Sequence, residues 1–339
     1  MRAVAGAGKG RPQRVVGLAC AGLAVAFLLG VSLGVGSLQI PLPEVLAGLF
    51  APTDRLNDLI LHTVRLPRMV AGLLVGASLA MAGAIMQALT RNPLASPGIL
   101  GVNAGAAFAV VTAVLVLGDP PLATYALFAL AGAGLAGALV YGLAAATGAA
   151  GNSPLRLALA GAVLAAFLGA LTTALLLLDQ NTLDQVRFWT AGSLAGRDWE
   201  LLRLTAPYML VGLALGLPLA RQLTTLSLGD DVARGLGQGS AAVKLSAAAA
   251  VVLLAGGAVA LAGPIGFVGL VAPHLARFLV GVDYRWVLPY SALLGAALVT
   301  VGDIGARVAL RPQEIPVGVL MALLGAPFFI YLARTRVRR

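Results

Sequence analysis

Charge is what this chain has least of. Asp, Glu, Lys and Arg make up only 11% of its 339 residues, against about 25% in an ordinary soluble domain. So few charges cannot cover a water-exposed surface, which excludes an ordinary cytosolic enzyme and an intrinsically disordered chain. There is a single cysteine, Cys20, so no intrachain disulfide and no cysteine-based metal site can form. The only histidines are His62 and His274, with no HExxH, no GxSxG and no carboxylate cluster in the apolar segments. Hydrolytic and metal-assisted chemistry therefore lacks its side chains. The nearest approach to a phosphate loop is Gly6-Ala7-Gly8-Lys9-Gly10, which misses the first glycine and has Gly10 where Ser or Thr would hold magnesium. It reads as a flexible leader, so any ATP is expected on another chain. The net charge of +10 does not point to nucleic acid, because the Lys and Arg are scattered between apolar runs instead of gathered on one face.

What the chain does have is hydrophobic length, with 60% of residues apolar. A membrane span needs about 20 such residues. Qualifying segments lie at 16–37, 69–89, 98–118, 121–146, 157–178, 201–220, 245–263, 265–281, 286–306 and 315–333. The stretch 245–281 is too long for one crossing, and Gly263-Pro264 and Pro273 interrupt it, so it is divided in two. Ten spans with the N-terminus inside also keep both basic chain ends and the Arg221–Lys244 group on the cytoplasmic side, as the positive-inside tendency requires. The first apolar run is longer than a signal peptide's core and reads as a retained span. Within it Cys20 reads as a small helical residue, not as a lipoprotein processing site. The expected division is a cytoplasmic tail (1–14), one transmembrane domain (15–335) and a basic cytoplasmic end (336–339).

Three further features bear on function. Gly76–Pro93 aligns with Gly256–Pro273 through Gly76/Gly256, Ala80/Ala260, Ala82/Ala262, Gly83/Gly263, Ile85/Ile265 and Pro93/Pro273. Read as a duplicated bundle of opposite orientation, this is an architecture common among transporters; shared small-residue packing gives the same pattern. The segment Asn181 to Glu200, with Trp189 and Trp199, is too polar to cross and too apolar to float free. It predicts a short interfacial or re-entrant helix on the outer side. Asp303 stands four residues before Arg307, the spacing of a structural ion pair on one helix face. With so little mid-membrane charge, a secondary transporter driven by a proton or sodium gradient is the weaker alternative.

Three stretches carry a resemblance. They are Arg65-Leu66-Pro67-Arg68 leading through Gly83 and Gln87 to Asn92-Pro93-Leu94-Ala95; Gly229 to Gly239; and Gly263-Pro264-Ile265-Gly266-Phe267-Val268-Gly269-Leu270-Val271-Ala272-Pro273-His274. From about residue 15 to 335 the chain resembles the iron-chelate and cobalamin uptake permeases, the FecCD-type membrane subunits of type II ABC importers. The resemblance implies an all-α membrane protein of about ten helices in the cytoplasmic (inner) membrane. It further implies a homodimer enclosing the translocation path, two ATP-binding cassette ATPase subunits beneath it and a substrate-binding protein outside. ATP and magnesium would belong to the partner ATPase, with no cofactor or metal held by this chain. The cargo would be a ferric siderophore, with haem or cobalamin as alternatives.

By resemblance, Ser227–Ser240 is the ATPase-coupling element. Asp230 or Asp231 can cap a short helix there, Val232, Ala233 and Leu236 give it an apolar side, Arg234 lies within it, and Gly237 can end it. Asn152 and Ser153 match the region of the cytoplasmic gate, with an ordinary helix cap as an equal reading. Trp189, Gly192 and Ser193 match the short pore-lining helix. Arg65, Arg68 and Arg307 match arginines that dock the binding protein, and all three are expected near the outer surface. His274 is expected to make a structural hydrogen bond.

Overall fold

A computed structural model of the chain describes residues 10–36, 40–50, 55–118, 120–146, 154–311 and 313–336. In chain order the helices are α1 (Arg11–Gly34), α2 (Leu42–Phe50), α3 (Leu56–Ile60), α4 (Leu66–Thr90), α5 (Val102–Leu117), α6 (Leu122–Ala145), α7 (Pro154–Leu178) and α8 (Gln180–Thr190). They continue as α9 (Trp199–Gly216), α10 (Ala220–Ser227), α11 (Asp230–Gly235), α12 (Ser240–Ala262), α13 (Val268–Val280), α14 (Tyr284–Val308) and α15 (Val317–Arg336). A π-helical turn, Leu61–Arg65, runs α3 directly into α4. Each of the ten expected segments falls on a helix. Six of them are long and apolar enough to cross a membrane, with Leu56–Thr90 taken as one helix. The pair α9 and α10 is a seventh, bent by 62°. The other three, α5, α13 and Val317–Ile330 of α15, are shorter apolar helices.

The core is built on α4 and α12, each burying 72% of its most apolar stretch, whereas the corresponding figures for α1 and α7 are 11% and 6%. With α1 and α7 on the rim, apolar residues there are free to face acyl chains. In the centre the helices meet through small residues, as expected where lipid removes the hydrophobic drive and close backbone packing must replace it. Gly76 of α4 and Gly295 of α14 approach so closely that a Cβ on either would collide with the other's carbonyl oxygen.

The expected division of 245–281 is present, as α12, a non-helical stretch from Gly263 to Phe267, and α13. Gly263 ends α12 at φ +73°, a backbone region that costs glycine little. Pro273, however, lies inside α13 and does not interrupt it. A proline at 273 removes the donor that would serve the carbonyl of Gly269. Gln87 of α4 replaces it, its Nε2 donating to Gly269 O at 3.1 Å. The interrupted geometry also limits the apparent repeat. Gly83 sits in mid-helix, whereas its counterpart Gly263 ends one, so the aligned stretches differ in conformation. Not expected from sequence were α2, α3 and the π-helical turn, where Val45 of α2 and Leu61 of the turn pack with Leu33 and Ile40 in a small separate core.

Candidate functional site

The outer-side segment expected between the fifth and sixth spans is a helix, α8. Asp179 caps it, accepting from the Thr182 backbone N–H at 2.8 Å. The hydrogen bonds from Thr182, side chain first and backbone second, hold the Asp179 carboxyl below its ordinary range. Trp189 is buried on the inner face of α8. Beyond it the chain turns at Gly192, at φ +73°. Ser193 N–H then donates to Ala262 O at 2.8 Å, and Gly192 O accepts from Gly318 N–H at 3.0 Å. The segment after α8 is thereby fastened to the outer end of α12 and to the start of α15. Trp189 and Ser193 line a cavity of about 700 Å³, closed on other sides by Pro120, Tyr125, Arg197 and Glu314. Gly192 forms the turn beside it.

Arg65, Arg68 and Arg307 come together, but not as an exposed docking surface. They are only 6%, 8% and 4% exposed. Arg68 grips Asp303, Nη2 to Oδ1 at 2.8 Å, and Glu314 at 2.7 Å. Arg307 pairs with the other oxygen of Asp303 at 3.1 Å and donates to Ser32 O at 2.9 Å and Val35 O at 2.7 Å. Arg65 donates to Leu33 O. Their guanidinium groups are engaged inside the chain and present little surface to solvent. What they do is tie α1, α4, α14 and the approach to α15 together where α4 begins and α14 ends. The expected Asp303–Arg307 pair is present, with Arg68 as a third member that no local spacing announced.

At the opposite end, the coupling stretch forms α11. Neither Asp230 nor Asp231 caps it, since Gly229 occupies that position without a side-chain bond. Asp230 instead pairs with Lys244 of α12 at 2.8 Å and lies 3.8 Å from Arg91 at the end of α4. Asp231 faces outward with Arg234, 3.6 Å away. Gly237, at φ +74°, ends the helix as expected. Its N–H bonds to Arg234 O and that of Gln238 to Ala233 O, the paired bonds of a Schellman motif. The apolar side is divided: Ala233 is buried, whereas Val232 and Leu236 are 45% and 70% exposed. Asn152 and Ser153, like Gly6 to Lys9, lie outside the described residues. His274 makes the local bond expected of it, Nδ1 to Leu270 O at 2.9 Å.

Arg197 was not singled out by sequence, although it sits inside the segment Asn181 to Glu200 expected to hold a short interfacial or re-entrant helix. Its signal is faint, one arginine in an irregular stretch whose burial depends on how that stretch folds back. Burial lowers its pKa to about 10, Asp198 opposing the shift and Arg68 adding to it.

Residues 23–335 match the model of the FecCD transport family. The chain is 46% identical to an iron(3+)-hydroxamate import system permease protein of Bacillus subtilis, over 91% of this chain and 80% of that one. It is 42% identical to the ferric enterobactin transport system permease protein of Escherichia coli, over 95% and 96%. In three dimensions it resembles an inward-facing metal-chelate type ABC transporter, with a TM-score of 0.83, 31% identity and coverage of 94% of this chain and 98% of the other.

Proposed function

This chain belongs to the FecCD transport family, and we propose that, as the membrane-spanning permease subunit of an ATP-driven importer, it forms the path for a ferric siderophore or related iron chelate. The observation that carries the reading is the likeness to permeases along nearly the whole chain, at 42% identity over 95% of it in one case. The helical architecture agrees with it. Two copies enclose the path, both termini lie in the cytoplasm of a cell with this protein in its inner membrane, and ATP with its magnesium is bound by two separate ATPase subunits. An extracytoplasmic binding protein delivers the chelate to the outer face.

The geometry supports a division of labour between the two ends. On the inner side, α11 offers Val232 and Leu236 to solvent while Ala233 and Asp230 hold its other side to the bundle. An apolar pair on a short, anchored helix suits insertion into a groove on another protein. On the outer side, α8 and the Gly192–Ser193 turn line the mouth of the path, and Asn152 and Ser153 belong to its inner gate. Co-expression with an ATPase chain and a binding protein tests this assembly. A stable complex is expected whose ATP hydrolysis rises when loaded binding protein is added. Purification of the chain as an autonomous species that never retains an ATPase contradicts it.

A further inference from the structure

The cavity beside α8 is lined by a buried cation, Arg197. Arg197 is only 6% exposed. Its Nε donates to Ser193 O at 3.2 Å, and it makes no ion pair among the described residues. The other charged group on the wall, Glu314, is already committed to Arg68 at 2.7 Å. The same cavity is lined by Gln185, whose carbonyl oxygen is buried without a hydrogen-bond partner. Tyr125, Phe188 and Trp189 supply flat apolar walls. Burying a charge without an ion-pair partner is costly, and such groups accumulate where a ligand is received. The volume of about 700 Å³ is of the size that holds a small ligand.

We propose that Arg197 is the charge-recognising residue of an outer-face site for anionic iron chelates, with Gln185 as its polar companion and the aromatic walls contacting the ligand's flat faces. The proposal rests on the permease reading and makes it more specific, because it names the class of chelate received at the mouth. A guanidinium presents parallel donors that match a carboxylate or the paired oxygens of a catecholate. An uncharged hydroxamate chelate would gain contact area in the same cavity and no ion pair.

Trp189 on the wall gives a direct readout, because a ferric chelate in contact quenches indole fluorescence. The full chain in lipid nanodiscs would be titrated with a ferric tricatecholate, which is anionic, and with a ferric trihydroxamate, which is neutral at its metal centre. Saturable quenching by the anionic probe is expected, lost in Trp189→Phe. Arg197→Gln should weaken that binding about tenfold, the scale of one charge-assisted pair, with the neutral probe changed less than about twofold. Arg197→Lys keeps the charge without the fork and should fall between. Gln185→Glu, which leaves Arg197 in place, should repel the anionic probe selectively. Equal losses for both probes, or none, would overturn the assignment, as would loss of an acidic binding protein's affinity in Arg197→Gln with chelate binding intact. Failure of ATP-driven uptake in the reconstituted complex, with charge-selective quenching preserved, would instead count against the permease reading alone.

Discussion

At the scale of single residues, the outer end of the bundle depends on Asp303. One carboxylate accepts from Arg68 and Arg307 together, so it offsets two buried cations at once. Removing one member of a buried pair leaves an uncompensated charge, at a cost of about 3–5 kcal/mol. Asp303→Asn should therefore lower the thermal stability of the purified protein markedly, whereas neutralising the exposed Asp231 should leave it nearly unchanged. Thermal unfolding in detergent followed by circular dichroism separates the two. Gln87 makes a smaller, sharper case. Gln87→Leu would leave Gly269 O and Ala95 O without their side-chain donor, at about 1–3 kcal/mol. Gln87→Glu is not a conservative alternative, since a carboxylate cannot donate to a carbonyl.

These residues also show what can and cannot be read from the chain. The Asp303–Arg307 pair was legible because both lie on one helix at a spacing that forces them together. Arg68 was legible as part of a motif but not as a third partner, since its contact with Asp303 spans 235 positions. No local pattern reports that. Nor does any local pattern report the burial of Arg65, Arg68 and Arg307, which were read from sequence as lying near the outer surface. Arg197 was missed for the same reason.

At the scale of elements, the apolar runs fixed where the helices lie, because hydropathy needs no knowledge of neighbours. Helix ends were less legible. Gly263 and Gly237 marked terminations correctly, since each requires a backbone that other residues resist. Pro273 was read as a break because the compensating donor sits on α4, far away in sequence. Helix α11 illustrates how an end can mislead: Asp230 has the chemistry of a cap, yet the charges of Lys244 and Arg91 draw it elsewhere. Leu236→Asp should weaken retention of the ATPase through a charge placed on the exposed apolar surface, with membrane insertion intact. Copurification yield measures this, and normal yield would remove α11 from the contact. On the outer side, the cap on α8 has a pH signature. The folded state holds Asp179 below its ordinary pKa, so the cap's stabilisation is complete above about pH 4 and is lost as pH falls through the lowered value. Protection factors of the α8 amides, taken against the intrinsic exchange rate at each pH, should fall on acidification below that range, and in Asp179→Ala should already be low at neutral pH.

At the scale of the whole molecule, all energy input is expected from a partner chain. The chain is a packed bundle of apolar helices in which Arg68, Asp303, Glu314 and Arg307 form one network satisfied by its own members. A carrier driven by protons needs ionisable groups along its path that can exchange them, and Arg68, Asp303 and Arg307 are locked to one another instead. The central claim is tested most directly by uptake of a radioactive ferric chelate into proteoliposomes holding the chain with its ATPase and binding protein. The account predicts uptake that requires ATP and continues when the proton and sodium gradients are collapsed. Uptake by the chain alone, driven by a pH step and indifferent to ATP, would contradict it.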